Sequence, residues 1–281
     1  MQDDGSVSTS LQPAYILHYT QWAETSFIVD AFTLSHGRIG MMAKSARSSK
    51  PRTRALYQPF RPLLLSWVGG SDMRTLTGIE ESGAPLEMES AELACSYYIN
   101  ELILRLLGKD QPQQAIFAHY VMALMNLAAT GQPGQASMES VLRTFELQLL
   151  EGLAVLPDLA RCTPGGKPIE ADLDYHYHPA NAVAIPMNRS LDSDASLGIQ
   201  KEKHRMGEGD SSNPSIHADG MTQDAGVKVS GRTLLALDNL ELDDPAVLKE
   251  ARPLMRQILR VHLGDKPLRS RELFESLARR E

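Results

Sequence analysis

Arg38, Lys44, Arg47, Lys50, Arg52, Arg54 and Arg61 all fall between Ala31 and Ser71, a stretch that contains no carboxylate. The chain as a whole is acidic, with a net charge of -7. This window of +7 therefore leaves 21 bases against 35 acids, or -14, on the remainder. Guanidinium and ammonium groups concentrated in this way neutralise phosphates, and the natural target of so segregated a charge is a polyanion, nucleic acid above all. A solvated loop face is the plain alternative, because runs of like charge often do nothing more. The setting favours a binding role. The tightest cluster, Lys44-Ser-Ala-Arg47-Ser-Ser-Lys50-Pro-Arg52-Thr-Arg54, separates the apolar residues Ile39, Met41 and Met42 from Leu63, Leu64 and Leu65. It is expected to be a mobile connection between two strands, able to lay several cations along a phosphate backbone.

Nucleic acid held by a cationic groove is commonly held by aromatic stacking as well, each stack contributing roughly 1–3 kcal/mol. Trp22, Tyr57, Phe60 and Trp67 are candidates. Trp22 and Tyr57 have polar neighbours and are the preferred pair, whereas Trp67 lies within a strand of leucines and reads as core. So few aromatics imply that phosphate contacts dominate and that sequence preference is weak. A second basic group lies near the other end of the chain. Arg252, Arg256 and Arg260 recur every four residues and would form one stripe on a helix, with Met255, Ile258 and Val261 on another face; Lys266, Arg269 and Arg271 follow. Tyr175-His-Tyr-His178 places His176 and His178 at i and i+2, on one face of a strand. With Asp172 and Asp174 nearby, a metal-dependent nuclease or hydrolase is one alternative function. No Cys, Asp or Glu at clear ligand spacing completes such a site, and a surface hairpin is the preferred reading. A protein-only adaptor that recognises acidic tails is the other alternative.

The elements that must position these groups are legible from periodicity. From Pro13 to about Glu81 the signals are those of strands, at Ala14–Tyr19, Thr25–Thr33, Arg38–Lys44, Leu63–Val68 and Arg74–Ile79. Five strands in so short a span suggest a small barrel. Ser35-His36-Gly37 and Gly69-Gly70-Ser71-Asp72 are expected to make hairpin turns. After Glu89 the period becomes helical. One helix runs to Gly108, a second from about Gln113 to Thr130, and a third from Ser137 as N-cap to Val155. Helical signals return at Ser230–Leu240, from Asp244-Pro245 to Leu263-Gly264, and from Ser270 to Arg280, with Pro253 expected to kink or split the second of these.

At 281 residues the chain is long enough for two or three units, and its 42% hydrophobic and 22% charged content is that of a soluble globular protein. No apolar stretch reaches the roughly 20 residues needed to cross a bilayer. The N-terminus has acids where a secretory signal has bases, so a cytoplasmic location is expected. Cys95 and Cys162 exclude a disulfide framework and a four-cysteine zinc site within one chain. Cys95, in an apolar helical pattern, is expected to be a buried thiol. The division expected is a flexible N-terminus (1–12), a barrel (13–88), a helical domain (89–160 plus 229–281) and an inserted region (161–228). The tract from 188 to 228 is too poor in apolar side chains to offset its ordering entropy, and is expected to be disordered.

Several strings resemble the RecO recombination-mediator family of bacterial DNA repair. They are Ala14-Tyr-Ile-Leu-His-Tyr with Glu24-Thr-Ser, His36-Gly-Arg-Ile, Ala43-Lys-Ser-Ala-Arg47, Gln58-Pro-Phe-Arg-Pro-Leu-Leu-Leu65 and Tyr98-Ile-Asn-Glu-Leu, then Leu142-Arg-Thr-Phe-Glu-Leu-Gln-Leu-Leu150, Ser230-Gly-Arg-Thr-Leu and Gly264-Asp-Lys-Pro-Leu-Arg-Ser-Arg-Glu-Leu-Phe274. They span most of the chain and keep their order.

The resemblance implies an α+β multidomain protein: a five-stranded OB-fold, a helical domain, and a third region that in many members is a four-cysteine zinc module. It implies binding of single- and double-stranded DNA, strand annealing, partnership with RecR, engagement of the acidic C-terminal tail of single-strand-binding protein (SSB), and help in loading RecA in the RecF pathway. None of this is enzymatic turnover, and no cofactor is expected. It also implies Arg143, Lys266, Arg269 and Arg271 as cations of the SSB-tail site, with Leu147 and Leu268 as apolar lining. This chain departs from the zinc-bearing pattern, reading Cys162-Thr-Pro-Gly165 where such members have Cys-x-x-Cys, with no second pair. It resembles a member that has lost the metal.

Overall fold

The computed structural model describes residues 8–70, 74–187, 226–264 and 266–270. Strands β1 (Ser8–Trp22), β2 (Ser26–Thr33), β3 (Gly37–Ala43), β4 (Leu63–Val68) and β5 (Arg74–Glu81) close into a barrel of order β1-β2-β3-β5-β4, the OB-fold arrangement. β1 is long because it serves two neighbours. Residues 14–22 pair with β2, while Ser8 and Thr9 pair with Val68 and Trp67 on β4. The strand thus begins at Ser8, so residues 8–12 of the segment expected to be flexible belong to it, and residues 1–7 lie outside the described ones. Alternate residues of β3 and β4 point inward, so Ile39, Met41, Leu63, Leu65 and Trp67 fill the barrel with Val29 and Ala31 of β2.

Both faces of β1 are covered between Ala14 and Leu17, because Tyr15 and Leu17 leave the barrel and enter a second core with Phe32 and Phe60. That core is built on α2 (Ser90–Leu106), α3 (Gln114–Ala128), α4 (Met138–Gly152), α5 (Gly231–Asp238) and α6 (Pro245–Leu263). The caps expected at Ser137 and Asp244 are present, Ser137 accepting from the Ser140 N–H and Asp244 from the Ala246 N–H, and Ser230 caps α5 by accepting from the Thr233 N–H. α6 runs unbroken through Pro253, so of the expected kink or split the split does not occur. Pro253 is exposed, so water can reach the carbonyl that loses its donor, while Leu254 and Met255 anchor the helix in the core.

The barrel is fixed to the helices by close approach. Gly37 adopts φ +69°, and a Cβ there would meet the Gln111 carbonyl oxygen at 1.8 Å. Asn100 donates to the Leu17 carbonyl and accepts from Tyr120 Oη at 2.8 Å, and Arg74 pairs with Asp110 at 2.6 Å.

The third region is a sheet of order β7-β6-β8, made of β6 (Asp174–His178), β7 (Val183–Pro186) and β8 (Val227–Ser230). β8 takes in Val227 and Lys228 of the tract expected to be disordered, and Gly226 just before them is also described. The rest of that tract, 188–225, lies outside the described residues, as does the helix expected after Ser270. No helix among the described residues is long and apolar enough to cross a membrane.

Candidate nucleic-acid interface and basic cleft

The basic connection between β3 and β4 is structured. Ser45 takes a positive φ, and Pro51 at N1 starts a short helix, α1 (Pro51–Ala55). Ala46, Leu56 and Tyr57 anchor the segment in the barrel core. The sequence therefore hid a helical turn inside a charge run, and the expected mobile loop is corrected to an anchored one. Its cations face outward: Lys44, Lys50, Arg52 and Arg54 are exposed, and none of them joins an ion pair among the described residues.

Arg47 is half-buried. Its N–H donates to the Thr25 carbonyl at 2.8 Å, and its Nη1 donates to Ala23 at 2.8 Å, which ties this segment to the β1–β2 turn beside Trp22. Trp22 is 52% exposed. A hollow of about 590 Å³ lies between the two segments, lined by Tyr19, Gln21, Glu24, Arg47, Arg54 and Gln58 among others. Tyr19, 36% exposed and packed on Phe27 at 4.9 Å between ring centres, is an accessible aromatic that the sequence reading missed. Its place on the first strand, three residues before Trp22, was the available signal.

Three other residues expected in this interface have different surroundings. Tyr57 is 5% exposed, edge-on to Phe27, and burial pushes its hydroxyl pKa up; its ring is core and offers no face to a base. Arg38 turns inward, donating from Nη1 to the carbonyls of Leu104 (2.6 Å) and Leu107 (3.2 Å) and pairing with Asp30 at 3.3 Å. It joins barrel to helix. Arg61 lies 3.4 Å from Glu81, a pair that compensates its charge. Trp67 is 2% exposed, as its leucine neighbours imply.

The second basic group forms a cleft between α2, α4, α6 and the segment that follows α6. It has a volume of about 920 Å³. Arg143, Arg252, Arg256, Arg260 and Lys266 line it, with Cys95, Leu142, Leu259, Leu263 and Leu268 as apolar wall. The α6 stripe of three arginines thus lines the cleft with Arg143 and Lys266, although the set implied by the resemblance left these three out; their four-residue spacing was the signal.

One carboxylate, Glu139, enters the lining and is held by Arg252 through two hydrogen bonds of 2.7 and 2.5 Å. Arg143 is 8% exposed and lies 2.7 Å from Glu146, whose Oε1 also accepts from Tyr98 Oη at 2.5 Å. Burial raises the Glu146 pKa, and the neighbouring Arg143 and Tyr98 oppose that rise.

Leu147 is corrected to a core residue: it is 1% exposed, packs in the helical core and does not line the cleft, so sharing a helical stripe with Arg143 does not bring it to the cleft surface. Arg269 is exposed and does not line the cleft, and Arg271 lies outside the described residues.

The zinc-module position does not fit a zinc site. Cys162 is buried, its Sγ donates to the Leu159 carbonyl at 3.4 Å, and burial pushes its pKa up to about 11, so the thiolate a metal needs is disfavoured. On β6 the side chains alternate: Tyr175 and Tyr177 are buried, while His176 and His178 share the outer face. Among the described residues no group of three His, Cys, Asp or Glu gathers as a metal site.

The family model described as Recombination protein O N terminal matches residues 7–83, and that described as Recombination protein O C terminal matches residues 90–207. A protein of Nitrosococcus oceani named DNA repair protein RecO is 38% identical over 269 residues, covering 96% of this chain and 94% of its own. Proteins of the same name from Alkalilimnicola ehrlichii (36% identical, covering 96% of this chain and 92% of its own) and Haemophilus influenzae strain 86-028NP (33%, covering 95% and 97%) are similarly related. With both terminal domains matched and the likeness running through barrel and helices alike, the chain belongs to the RecO family of DNA repair proteins.

Proposed function

We propose that this protein binds single- and double-stranded DNA through the outer face of its β3–β4 connection and anneals complementary strands without catalysing any covalent change. The observation that carries this reading is the group of exposed, uncompensated cations, Lys44, Lys50, Arg52 and Arg54, held on an anchored loop next to Arg47 and the exposed ring of Trp22. Such cations neutralise phosphates on both strands and lower the repulsion that keeps complements apart, while Trp22 and Tyr19 provide sequence-tolerant stacking.

The basic cleft takes the acidic C-terminal tail of SSB. Its cations border an apolar wall, the combination needed by a peptide that ends in a hydrophobic residue and a free carboxylate. In this role the protein acts with RecR on SSB-coated single strands in the RecF pathway and promotes RecA loading, in the cytoplasm and on the nucleoid. The test is annealing of SSB-coated complementary strands. The variant Lys44→Glu/Arg47→Glu/Arg52→Glu/Arg54→Glu is expected to lose annealing with the helical core still folded, and normal DNA affinity in that variant would overturn the assignment of this face.

A further inference from the structure

Two side chains one turn apart on α2 hold the rim of the basic cleft from both ends. α6 stops at Gly264, and the chain then runs through Lys266, Pro267 and Leu268, all three of which line the cleft. No strand or helix of the described residues covers 266–269, so its shape depends on what it is tied to. Arg105 donates from Nη2 to the Leu263 carbonyl at 2.7 Å, where α6 ends and its dipole is negative, and from Nη1 to the Pro267 carbonyl at 3.3 Å. Glu101 takes the other end. Its Oε1 accepts from the Arg269 N–H at 2.9 Å, and its Oε2 accepts from the Ser270 N–H (2.9 Å) and from Ser270 Oγ (2.8 Å), a residue only 4% exposed. Glu101 and Arg105 are themselves 4.0 Å apart. Between these two anchors the chain puts Lys266 and Leu268 against the wall formed by α4 and α6.

From this clasp we infer that Glu101 and Arg105 are positioning residues for an acidic peptide in the cleft, acting through Lys266 and Leu268 and touching no peptide themselves. The inference rests on the proposed reading of the cleft. Its physical basis is preorganisation: a rim already fixed in its bound shape loses no ordering entropy when a peptide arrives.

Glu101→Gln separates positioning from charge, because the two predict opposite signs. Gln keeps the size but replaces one acceptor oxygen by an N–H donor that faces backbone N–H groups, so one end of the rim is released. The same substitution removes a negative charge beside a cationic cleft, which by charge alone tightens an acidic ligand.

The experiment is binding of a fluorescent acidic peptide with a C-terminal phenylalanine to the full chain, with thermal unfolding recorded for each variant. Glu101→Gln is expected to bind about tenfold more weakly, the scale of one hydrogen bond to a charged group. Equal or tighter binding overturns the inference. Arg105→Lys keeps the charge, but a single ammonium cannot hold both carbonyls, and it is expected to shift affinity in the same direction with an unchanged melting temperature; unaltered affinity overturns the inference even if Glu101→Gln fails to fold. Arg256→Ala addresses the underlying reading separately. If the wild type ignores the peptide, or Arg256→Ala binds it normally, it is the cleft assignment that fails.

Discussion

Arg143 Nη2 lies 2.7 Å from Glu146 Oε1, and of this pair only the arginine reaches the cleft. Glu146 has no exposed surface. Arg143 Nε and Glu146 Oε2 are buried without hydrogen-bond partners among the described residues. A buried pair of this kind contributes little net stability, since desolvation of both charges offsets their attraction, but removing one member strands the other. Glu146→Ala is therefore expected to destabilise the protein by roughly 3 kcal/mol or more, while the apolar pair Arg143→Met/Glu146→Leu recovers most of that loss. Urea unfolding of Arg143→Met, Glu146→Leu and their double variant, beside Glu146→Ala, checks this. Strictly additive effects would show that the contact has no energetic content.

Cations that face water and cations that face the protein are expected to differ in the salt dependence of DNA binding. Lys44→Ala, Lys50→Ala and Arg52→Ala each remove an exposed charge, and each should flatten the log–log salt slope on single strands by about 0.7. Arg38→Ala should leave the slope unaltered. Instead it leaves the Leu104 and Leu107 carbonyls without their donor and costs stability on the order of 2 kcal/mol. Titrations at several salt concentrations, beside unfolding curves, sort the four substitutions into these two classes.

Trp22 and Tyr57 are expected to behave in opposite ways for the same reason. Trp22→Ala removes an exposed ring and should weaken single-strand binding by about 1–3 kcal/mol with little effect on folding. Tyr57→Ala opens a cavity beside Phe27 and should cost roughly 3 kcal/mol of stability. Binding of a homopolymeric oligonucleotide and thermal melting measure the two effects; equal loss of affinity at both positions would contradict the burial of Tyr57.

What could be read before folding was what depends on local pattern. The short apolar run Leu63–Val68 located β4 to the residue, and Ser137 announced the start of α4. What could not be read depends on neighbours distant in the chain. Arg38 shares its spacing with Lys44 and Arg47, but its acceptors lie on a helix more than sixty residues later. Tyr57 has polar neighbours in sequence, yet its burial is decided by Phe27 on another strand. The α1 turn was hidden because the run of basic residues around it masks the three apolar anchors, Ala46, Leu56 and Tyr57. In the cleft, Arg143 and Lys266 were named by resemblance, whereas Arg252, Arg256 and Arg260 needed the orientation of α6 before they could be joined to them.

The acid limit of stability is expected to involve Glu250, whose Oε2 accepts from the Ser230 N–H (3.0 Å), Ser230 Oγ (2.7 Å) and Thr233 Oγ1 (2.8 Å). Partial burial raises the carboxyl pKa, but these three donors and the charge of Lys228 outweigh it, and the net direction is downward. A folded pKa below the unfolded one means that the unfolded chain takes up the proton first. The stabilisation is then present in full above the unfolded value of about 4.3 and is lost as pH falls through the lower folded value. Ser230 ends β8 and caps α5 while Glu250 belongs to α6, so protonation loosens the junction of all three. Glu250→Gln is expected to lower stability at pH 7 by about 1 kcal/mol, a modest figure because the group is only partly buried. The gap to wild type should narrow as pH falls toward 3, where the wild-type carboxyl is itself becoming neutral. A gap of constant size from pH 7 to pH 3 would mean that the ionised form of Glu250 contributes nothing that its neutral isostere lacks.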